Sequence, residues 1–291
     1  MAIAAADIFI DGALVHTLLR QQHPDLAELD VRLVANGWDN NLYRLGNELA
    51  IRLPRRRVAV PLIEHEQRWL PEIATRVTVA IPTPVRVGVP CSEFPWPWTI
   101  TPWFEGTIAS ETTFDQHETL AAELAQFVRE LHTPAPVDAP ENPFRGVPLA
   151  ARTIAIEDRL ASGLVPHPAE VQEAWRKALD APPWTAGAVW LHGDLHPANI
   201  LTRDGRLEAV LDFGDLTSGD PAADLATAWL TFDPVGRARF RDALDYDNDT
   251  WLRARGWALL LAGAFLANST DSPAMLAIGT HGIEQVLLDQ E

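Results

Sequence analysis

The sequence has 291 residues, of which 47% are hydrophobic and 22% charged, and these proportions exclude disorder along the whole chain. Its 23 basic and 40 acidic residues give a formal net charge of −17, which argues against a nucleic-acid partner. The same charge would attract a cationic small molecule, or it serves solubility alone. The single cysteine, Cys91, excludes an intramolecular disulfide and a cysteine-based zinc site.

Residues 1–10 include Asp7 and lack both the basic start and the long apolar core of a signal peptide. The most apolar stretch of the chain, residues 257–268, is too short to span a bilayer. We therefore expect a cytoplasmic protein without a membrane partner.

The N-terminal part of the chain predicts an antiparallel sheet. Residues 11–22 have leucines at helical spacing and predict a first helix. Extended segments and turn-forming residues then alternate, which predicts an antiparallel meander with strands at 31–34, 42–45 and 48–53. Val60–Ile73 predicts a helix with Pro61 in its first turn. The prolines of residues 81–102 exclude a helix and leave two further strands, at 85–89 and 98–101.

The remainder of the chain is mostly helical in pattern. Residues 116–132 have one apolar face, 133–148 are proline-rich and loop-like, and 149–181 carry two weaker helical patterns. Residues 207–213 are extended and apolar, and residues 220–291 are helical with breaks at Pro234, Asn248 and Pro273. We predict an α+β, two-lobed fold. Its N-terminal lobe, residues 1–104, would be an antiparallel sheet with one helix, and its C-terminal lobe, residues 105–291, would be mostly helical.

Residues 192–199 match the pattern H-x-D-x-x-x-x-N of a kinase catalytic loop. Asp194 would accept the proton of an attacking hydroxyl, and Asn199 would offer an oxygen to Mg²⁺. His192 joins Asp194 as a catalytic-site residue, orienting the loop through hydrogen bonds rather than binding metal. Two alternatives remain open: Asp194 caps a helix that begins at Pro197, or the histidines here form a metal cluster.

Asp212-Phe213-Gly214 follows the catalytic loop at the end of an apolar strand. Asp212 would bind the Mg²⁺ that bridges the nucleotide phosphates. An ordinary β-turn with aspartate at its start is the alternative. The triplet alone is a weak signal, but its order after the catalytic loop and a short hairpin is specific to kinases.

Arg52 lies on a predicted strand between apolar residues and would contact the nucleotide phosphates. Its partner would be Glu66 on the following helix, with Glu64 as the alternative, unless Arg52 is one more surface cation. Gly37 and Asn40 lie in the first turn of the meander, where exposed N–H groups would approach the phosphates. A plain hairpin turn is the equal alternative for that loop.

Taken together, these residues resemble the aminoglycoside phosphotransferase family, which includes the related macrolide kinases. The resemblance extends over nearly the whole chain and is carried by residues 191–201, Asp212–Asp215 and residues 219–226. Residues 51–56, with Glu64 and Glu66, also look like this family. The C-terminal motifs are specific for the fold and the reaction, but kinases of many metabolites share them.

The resemblance implies a protein-kinase-like fold with a five-stranded N-terminal sheet, ATP or GTP as co-substrate and Mg²⁺ as cofactor. It also implies that the nucleotide base meets a linker near residues 102–105, with Thr101 and Trp103 among the contacts. Asp224 would support the catalytic loop. The chain departs from the family pattern at Arg52, where lysine is frequent.

The leading hypothesis is a kinase that phosphorylates a hydroxyl of an antibiotic-like small molecule, such as an aminoglycoside. The excess of acid suits a cationic acceptor, and we expect acidic residues near it, among Glu105, Asp158, Asp215 and Asp271. The tryptophans would suit an apolar acceptor such as a macrolide, or they belong to the core. Alternatives are a kinase of a primary metabolite (an amino alcohol, sugar or nucleoside), a nucleotide-binding pseudokinase and a metal-dependent hydrolase.

Overall fold

The computed structural model of the chain describes residues 5–112 and 118–289. The chain forms two compact units. The first contains the chain up to Arg76 together with Ala80–Glu105, and the second contains Val77–Val79 and the chain from Gly106 onward. Within the described residues we find no helix that could span a lipid bilayer. The first residues of the helix predicted for 116–132 lie outside the described residues.

An antiparallel sheet of five strands, in the order β1-β2-β3-β5-β4, forms most of the first unit. The strands are β1 (Val31–Asn36), β2 (Asn40–Leu45), β3 (Leu49–Pro54), β4 (Arg86–Gly88) and β5 (Trp98–Pro102). The predicted meander is therefore present, but its first turn is shorter than predicted. Pairing of β1 with β2 continues to Asn36 and Asn41, so only residues 37–39 connect the two strands.

Two helices accompany this sheet, α1 (Gly12–Gln22) and α2 (Val60–Ile73). Asp11 caps α1, because its carboxylate accepts a hydrogen bond from the Leu14 N–H at 2.8 Å. The buried face of α1 packs against the sheet and shares one apolar core with it, formed by Val15, Leu18, Leu19, Tyr43, Leu45, Ile51, Leu53 and Ile100. We predicted one helix for this lobe, but the structure has two. The additional helix is α1, which the spacing of its leucines had indicated.

Gly88 in β4 lies opposite Trp98 in β5. A Cβ atom at Gly88 would lie 1.8 Å from Cε2 of Trp98, so the indole covers this position only because the residue is glycine. Trp98 is fully buried as a result. This close approach closes one edge of the apolar core of the first unit.

The second unit is mostly helical. Its helices are α3 (Glu118–Leu131), α4 (Thr153–Ala161), α5 (Pro168–Leu179), α6 (Ala222–Leu225), α7 (Thr227–Thr231), α8 (Pro234–Asp242), α9 (Asn248–Asn268) and α10 (Pro273–Leu288). The breaks predicted at Pro234, Asn248 and Pro273 are the first residues of α8, α9 and α10. The preceding side chains, Asp233, Asp247 and Ser272, cap these helices.

The longest helix, α9, is buried along most of its length and packs against α5, α6 and α10. The fully buried tryptophans of this unit include Trp190, Trp229 and Trp257. All three are core residues, so the alternative of an apolar acceptor site does not apply to Trp190 and Trp229.

Short strands in the second unit frame the catalytic motifs. They are β6 (Thr107–Ile108), β7 (Val189–Leu191), β8 (Ile200–Arg203), β9 (Arg206–Val210) and β10 (Thr217–Gly219). β6, β8 and β9 form one small sheet, and β7 pairs with β10 in another. The sequence pattern missed β6, β7 and β10, because strands of two or three residues are too short to show periodicity.

Candidate active site

The catalytic loop connects β7 to β8, and Asp224 at the start of α6 holds its first turn. The Asp224 carboxylate is fully buried and accepts hydrogen bonds from the backbone N–H of His192 at 2.7 Å and of Gly193 at 2.8 Å. Gly193 has φ +85°, and a Cβ there would lie 2.2 Å from the carbonyl oxygen of Asp215. The loop therefore passes through a turn that requires glycine and that a buried carboxylate fixes.

Asp224 is itself held by a chain of polar side chains. The His132 Nε2 atom lies 3.2 Å from Oδ2 of Asp224, and His132 Nδ1 lies 2.8 Å from the Tyr246 hydroxyl. Burial and the negative charge of Asp224 raise the pKa of Tyr246, so its hydroxyl stays protonated and shares a hydrogen bond with His132 Nδ1. These contacts have no local signal in the sequence, because 114 positions separate His132 from Tyr246.

His192 orients the loop from inside the core. Its ring is fully buried, with Nε2 2.8 Å from the carbonyl oxygen of Leu211. Its Nδ1 accepts a hydrogen bond from the Asp194 N–H at 3.2 Å. Since both of these hydrogen bonds are to backbone atoms, the geometry favours positioning of Asp194 over direct catalysis.

Asp194 is half-buried, and each oxygen of its carboxylate has a cationic or polar neighbour. Oδ2 lies 3.2 Å from His196 Nε2, and Oδ1 lies 3.1 Å from Arg145 Nη2. Burial alone would raise the pKa of this carboxyl, but the neighbouring His196 and Arg145 outweigh it and hold the pKa well below its usual range. The carboxylate is therefore ionised and able to accept a proton.

Asn199 and Asp212, the two residues expected to hold Mg²⁺, lie on segments that a backbone hydrogen bond joins. The Leu211 N–H donates to the carbonyl oxygen of Asn199 at 2.8 Å, and Asp212 follows directly. The Asn199 side chain donates Nδ2–H to the carbonyl oxygen of Asp194 at 2.9 Å, which leaves its Oδ1 for a cation. Asp212 is exposed at the end of this segment. One carboxylate and one amide oxygen suit Mg²⁺, which prefers oxygen ligands and keeps several waters.

Asp212 has φ +57°, in the left-handed region, and its Oδ1 accepts a hydrogen bond from the Gly214 N–H at 3.4 Å. Aspartate tolerates this conformation better than most residues, because its short side chain bonds the local backbone. Asp212 thus caps a single 3₁₀ turn, Phe213–Asp215, where an ordinary β-turn with aspartate at its start was the alternative. Among the described residues, no group of three or more His, Cys, Asp and Glu could hold a metal ion by itself.

Arg145, from the loop predicted at residues 133–148, was not anticipated at this site. Its Nη2 lies 3.1 Å from Asp194 Oδ1 and 3.3 Å from Asp215 Oδ2. Asp215 also accepts a hydrogen bond from Asn142 Nδ2 at 2.7 Å. Burial raises the pKa of Asp215, and despite burial the two carboxylates raise the pKa of Arg145.

The acidic residues expected near the acceptor have different surroundings. Asp215 is bound by Arg145 and Asn142, and Glu105 pairs with Arg44 in the first unit. Asp158 and Asp271 are exposed. The local charge beside Asp194 is therefore less negative than the composition suggested.

In the first unit, Arg52 on β3 pairs with Glu66 on α2. Arg52 Nη1 lies 2.6 Å from Oε1 and 2.7 Å from Oε2 of Glu66, and both residues are buried. Glu64, the alternative partner, is exposed. Arg52 is thus not one more surface cation, since its guanidinium is held in place by a buried carboxylate.

The loop between β1 and β2 is closed on itself. The Gly37 N–H donates to the carbonyl oxygen of Asn40 at 2.9 Å, and Arg55 Nη1 donates to the carbonyl oxygen of Gly37 at 3.0 Å. The Gly37 amide is therefore engaged in this conformation and does not form the open phosphate cradle that we expected. The basic side chain of Arg55 is attached to the loop instead.

Thr101 and Trp103 lie at the end of the fifth strand. Thr101 is buried and pairs with Ala50 of β3, while the Trp103 N–H donates to the carbonyl oxygen of Glu48 at 2.7 Å. The guanidinium carbon of Arg44 lies 4.7 Å from the centre of the Trp103 ring. Both residues belong to the first unit, as does Arg52.

The sequence matches the family model described as the phosphotransferase enzyme family over residues 30–257. The chain belongs to this family. The match spans the Arg52–Glu66 pair, the catalytic loop and the Asp212 turn, so the resemblance noted from these motifs is confirmed and the protein is a phosphotransferase. No curated protein matches the sequence significantly.

Solved structures with a similar fold include members of the same group of enzymes. The GDP complex of wild-type aminoglycoside 2'-phosphotransferase-IIIa is 18% identical, with a TM-score of 0.70 over 96% of this chain and 99% of that chain. Macrolide 2'-phosphotransferase MphH from Brachybacterium faecium is 22% identical, with a TM-score of 0.60 over 93% of this chain and 96% of that chain. The predicted kinase-like fold of this phosphotransferase is therefore confirmed.

Proposed function

We propose that this phosphotransferase moves the γ-phosphoryl group of ATP or GTP to a hydroxyl of a small, antibiotic-like acceptor. The observation that carries the proposal is the arrangement of Asp194, Asn199 and Asp212. An ionised base and two oxygen ligands lie on segments that hydrogen bonds tie together. Kinase chemistry needs this combination, because phosphoryl transfer depends on positioning and on neutralising negative charge.

The proposed division of labour follows the two units. Residues 1–104 would bind the nucleotide, with Arg52 gripping the phosphates and Glu66 fixing the guanidinium. Thr101 and Trp103 would lie near the base. Residues 105–291 would carry the catalytic loop and the acceptor.

In the proposed reaction Asp194 orients the acceptor hydroxyl and accepts its proton. The hydroxyl oxygen forms a bond to the γ-phosphorus while the bond from that phosphorus to the bridging oxygen breaks, leaving a nucleoside diphosphate. His192 holds Asp194 through its backbone N–H, and Asn199 and Asp212 are the residues that would hold Mg²⁺. The ion, when bound, would neutralise charge on the phosphates.

Two observations support an antibiotic-like acceptor: the ligands of similar solved structures, and the net charge of this chain. Similar folds have been solved as a complex with GDP and kanamycin and as a ternary complex with streptomycin and ATP, and both of those acceptors are aminoglycosides. A formal net charge of −17 favours a cationic acceptor of this kind. The second candidate is a kinase of a primary metabolite such as an amino alcohol, because the same machinery serves either acceptor.

The test is a nucleotide-consumption assay with ATP and GTP in turn, against a panel of aminoglycosides, macrolides, amino alcohols, sugars and nucleosides. We expect consumption that depends on at least one antibiotic and on Mg²⁺. Asp194→Asn should keep the fold and nucleotide binding but lose a factor of about 10² or more in turnover. Consumption with a metabolite alone would select the second candidate. Nucleotide binding without consumption would indicate a pseudokinase and refute the proposal.

A further inference from the structure

A guanidinium lies directly against the catalytic carboxylate, although the family motifs do not contain it. Arg145 reaches Asp194 and Asp215 with the same Nη2 atom, at 3.1 and 3.3 Å. Its side chain is 19% exposed, so it is held inside the site while one side remains open to solvent. A surface arginine would instead be mobile and screened.

The backbone around Arg145 is fixed against the strands that carry the catalytic loop. Gly146 has φ +65°, and a Cβ there would lie 2.7 Å from Cδ1 of Leu191 in β7. The carbonyl oxygen of Gly146 accepts a hydrogen bond from the Asp220 N–H at 2.9 Å, just after β10. On the other side, Asn142 holds Asp215. Arg145 is therefore presented to Asp194 by a segment that has little freedom to move.

A cation at this position has a chemical cost. By favouring the ionised form of Asp194 it makes the carboxylate a weaker base. A weaker base is tolerable in phosphoryl transfer, because the loose transition state depends little on proton removal. It depends more on the groups that neutralise the charge of the phosphoryl oxygens. The placement therefore fits an arginine that acts on the phosphoryl group and not only on the carboxylate.

The guanidinium also has donors to spare. An arginine offers five N–H groups. In the described residues, Nη2 contacts the carboxylates of Asp194 and Asp215, and Nη1 donates to the carbonyl oxygen of Phe144 at 3.4 Å. Among the same residues, the buried Nε has no hydrogen-bond partner. An acceptor oxygen bound to Asp194 would lie about 3 Å from the carboxylate, and the phosphorus about 3–3.5 Å beyond it. The phosphoryl oxygens thus come within reach of this guanidinium.

We propose that Arg145 is a catalytic residue that contacts the transferring phosphoryl group and stabilises its charge, with Asp215 and Asn142 as positioning residues. The inference rests on the proposed function, since it assigns a further role within the same site. An arginine suits this role because its guanidinium is a planar fork with several N–H donors and never loses its charge.

The test compares Arg145→Ala, Arg145→Lys and the double variant Arg145→Ala with Asp215→Asn. Arg176→Ala is the matched control, because Arg176 is exposed on α5 and pairs with the surface carboxylates of Glu173 and Asp180. For Arg145→Ala we expect kcat to fall by about 10² or more, with little change in the KM for nucleotide. Added guanidinium ion should restore part of the rate. Arg145→Lys should lie in between, because it keeps the charge and loses the fork.

The alternative role is purely structural, with Arg145 only neutralising two neighbouring carboxylates. In that case the double variant, which has one fewer negative charge, should recover the parent rate; recovery would overturn the inference. An active parent enzyme with an unaffected Arg145→Ala variant would overturn it too and leave the proposed function intact. A parent that consumes no nucleotide with any acceptor would refute the proposed function and this inference with it.

Discussion

Replacing Asp224 by asparagine would remove one charge from beneath the catalytic loop while keeping the shape of the side chain. In the parent, the two carboxylate oxygens accept the backbone N–H groups of His192 and Gly193 at 2.7 and 2.8 Å. Asparagine has a single oxygen, so its NH₂ group would face one of these N–H donors. One buried donor would then have no acceptor.

The magnitude follows from these two bonds. A hydrogen bond to a charged group contributes about 1.5–3 kcal/mol, and a buried donor without a partner costs about 1–3 kcal/mol. The two effects overlap, so we expect Asp224→Asn to lower the free energy of unfolding by about 3 kcal/mol. This is a large share of the roughly 5–15 kcal/mol that stabilises a typical domain. For a unit of this size the melting temperature should fall by about 10 °C.

The assay is thermal and urea unfolding followed by tryptophan fluorescence, with Asp180→Asn as the matched control. The Asp180 side chain is 69% exposed and makes a surface ion pair with Arg176 at 3.6 Å, so its replacement should change stability by less than about 0.5 kcal/mol. Asp224→Asn should also lower turnover, because the loop that carries Asp194 would loosen. An Asp224→Asn protein that melts with the parent would refute the idea that this carboxylate holds the loop.

Three further predictions concern the proposed metal site, the base and the acceptor. Asp212→Ala should abolish Mg²⁺-dependent nucleotide binding in calorimetry. Glu284→Ala is the control and should not, because Glu284 is exposed. Superimposable Mg²⁺ titrations of Asp212→Ala and parent would exclude the metal role. The pKa of Asp194 is lowered in the folded state, so its ionised form stabilises the fold. Above the unfolded pKa of about 3.9, the parent should therefore have a higher free energy of unfolding than Asp194→Asn. This difference should shrink as the pH falls below that value. Unfolding curves of both proteins at pH 7 and pH 3 measure this difference. An equal difference in the free energy of unfolding at both pH values would contradict a lowered pKa for Asp194. The KM of a cationic acceptor should rise between low and moderate salt, because charges are screened beyond about 10 Å at 0.1 M ionic strength; a flat series would mean that the net charge says nothing about the acceptor.

The parts of the site that sequence alone predicted are those built from neighbouring residues. Asp194 and Asn199 share one short loop, and Asp212 follows the next pair of strands. Their spacing in the sequence therefore predicted that they belong to one candidate site. Helix starts were predicted for the same reason, since proline at the first turn and a capping side chain before it are local signals. The Arg52–Glu66 pair could be anticipated because strand and helix are consecutive.

The parts that sequence did not predict depend on contacts between distant segments. Arg145 is 49 positions from Asp194 and lies in a proline-rich stretch without periodicity, so nothing local distinguishes it from the other arginines. The closure of the loop at Gly37 depends on the register of β1 against β2, which a turn-rich sequence does not fix. In each case a tertiary contact decides what the residue does.

The close approach of Gly146 and Gly219 restricts how this enzyme can evolve. A Cβ at Gly219 would lie 2.1 Å from the carbonyl oxygen of Gly146, and a Cβ at Gly146 would meet Leu191. No single substitution at either glycine is tolerated without moving the segment that carries Arg145. Tolerated substitutions in this region must therefore fall on other surfaces, such as the exposed Phe144, while this crossing of the backbone keeps both glycines.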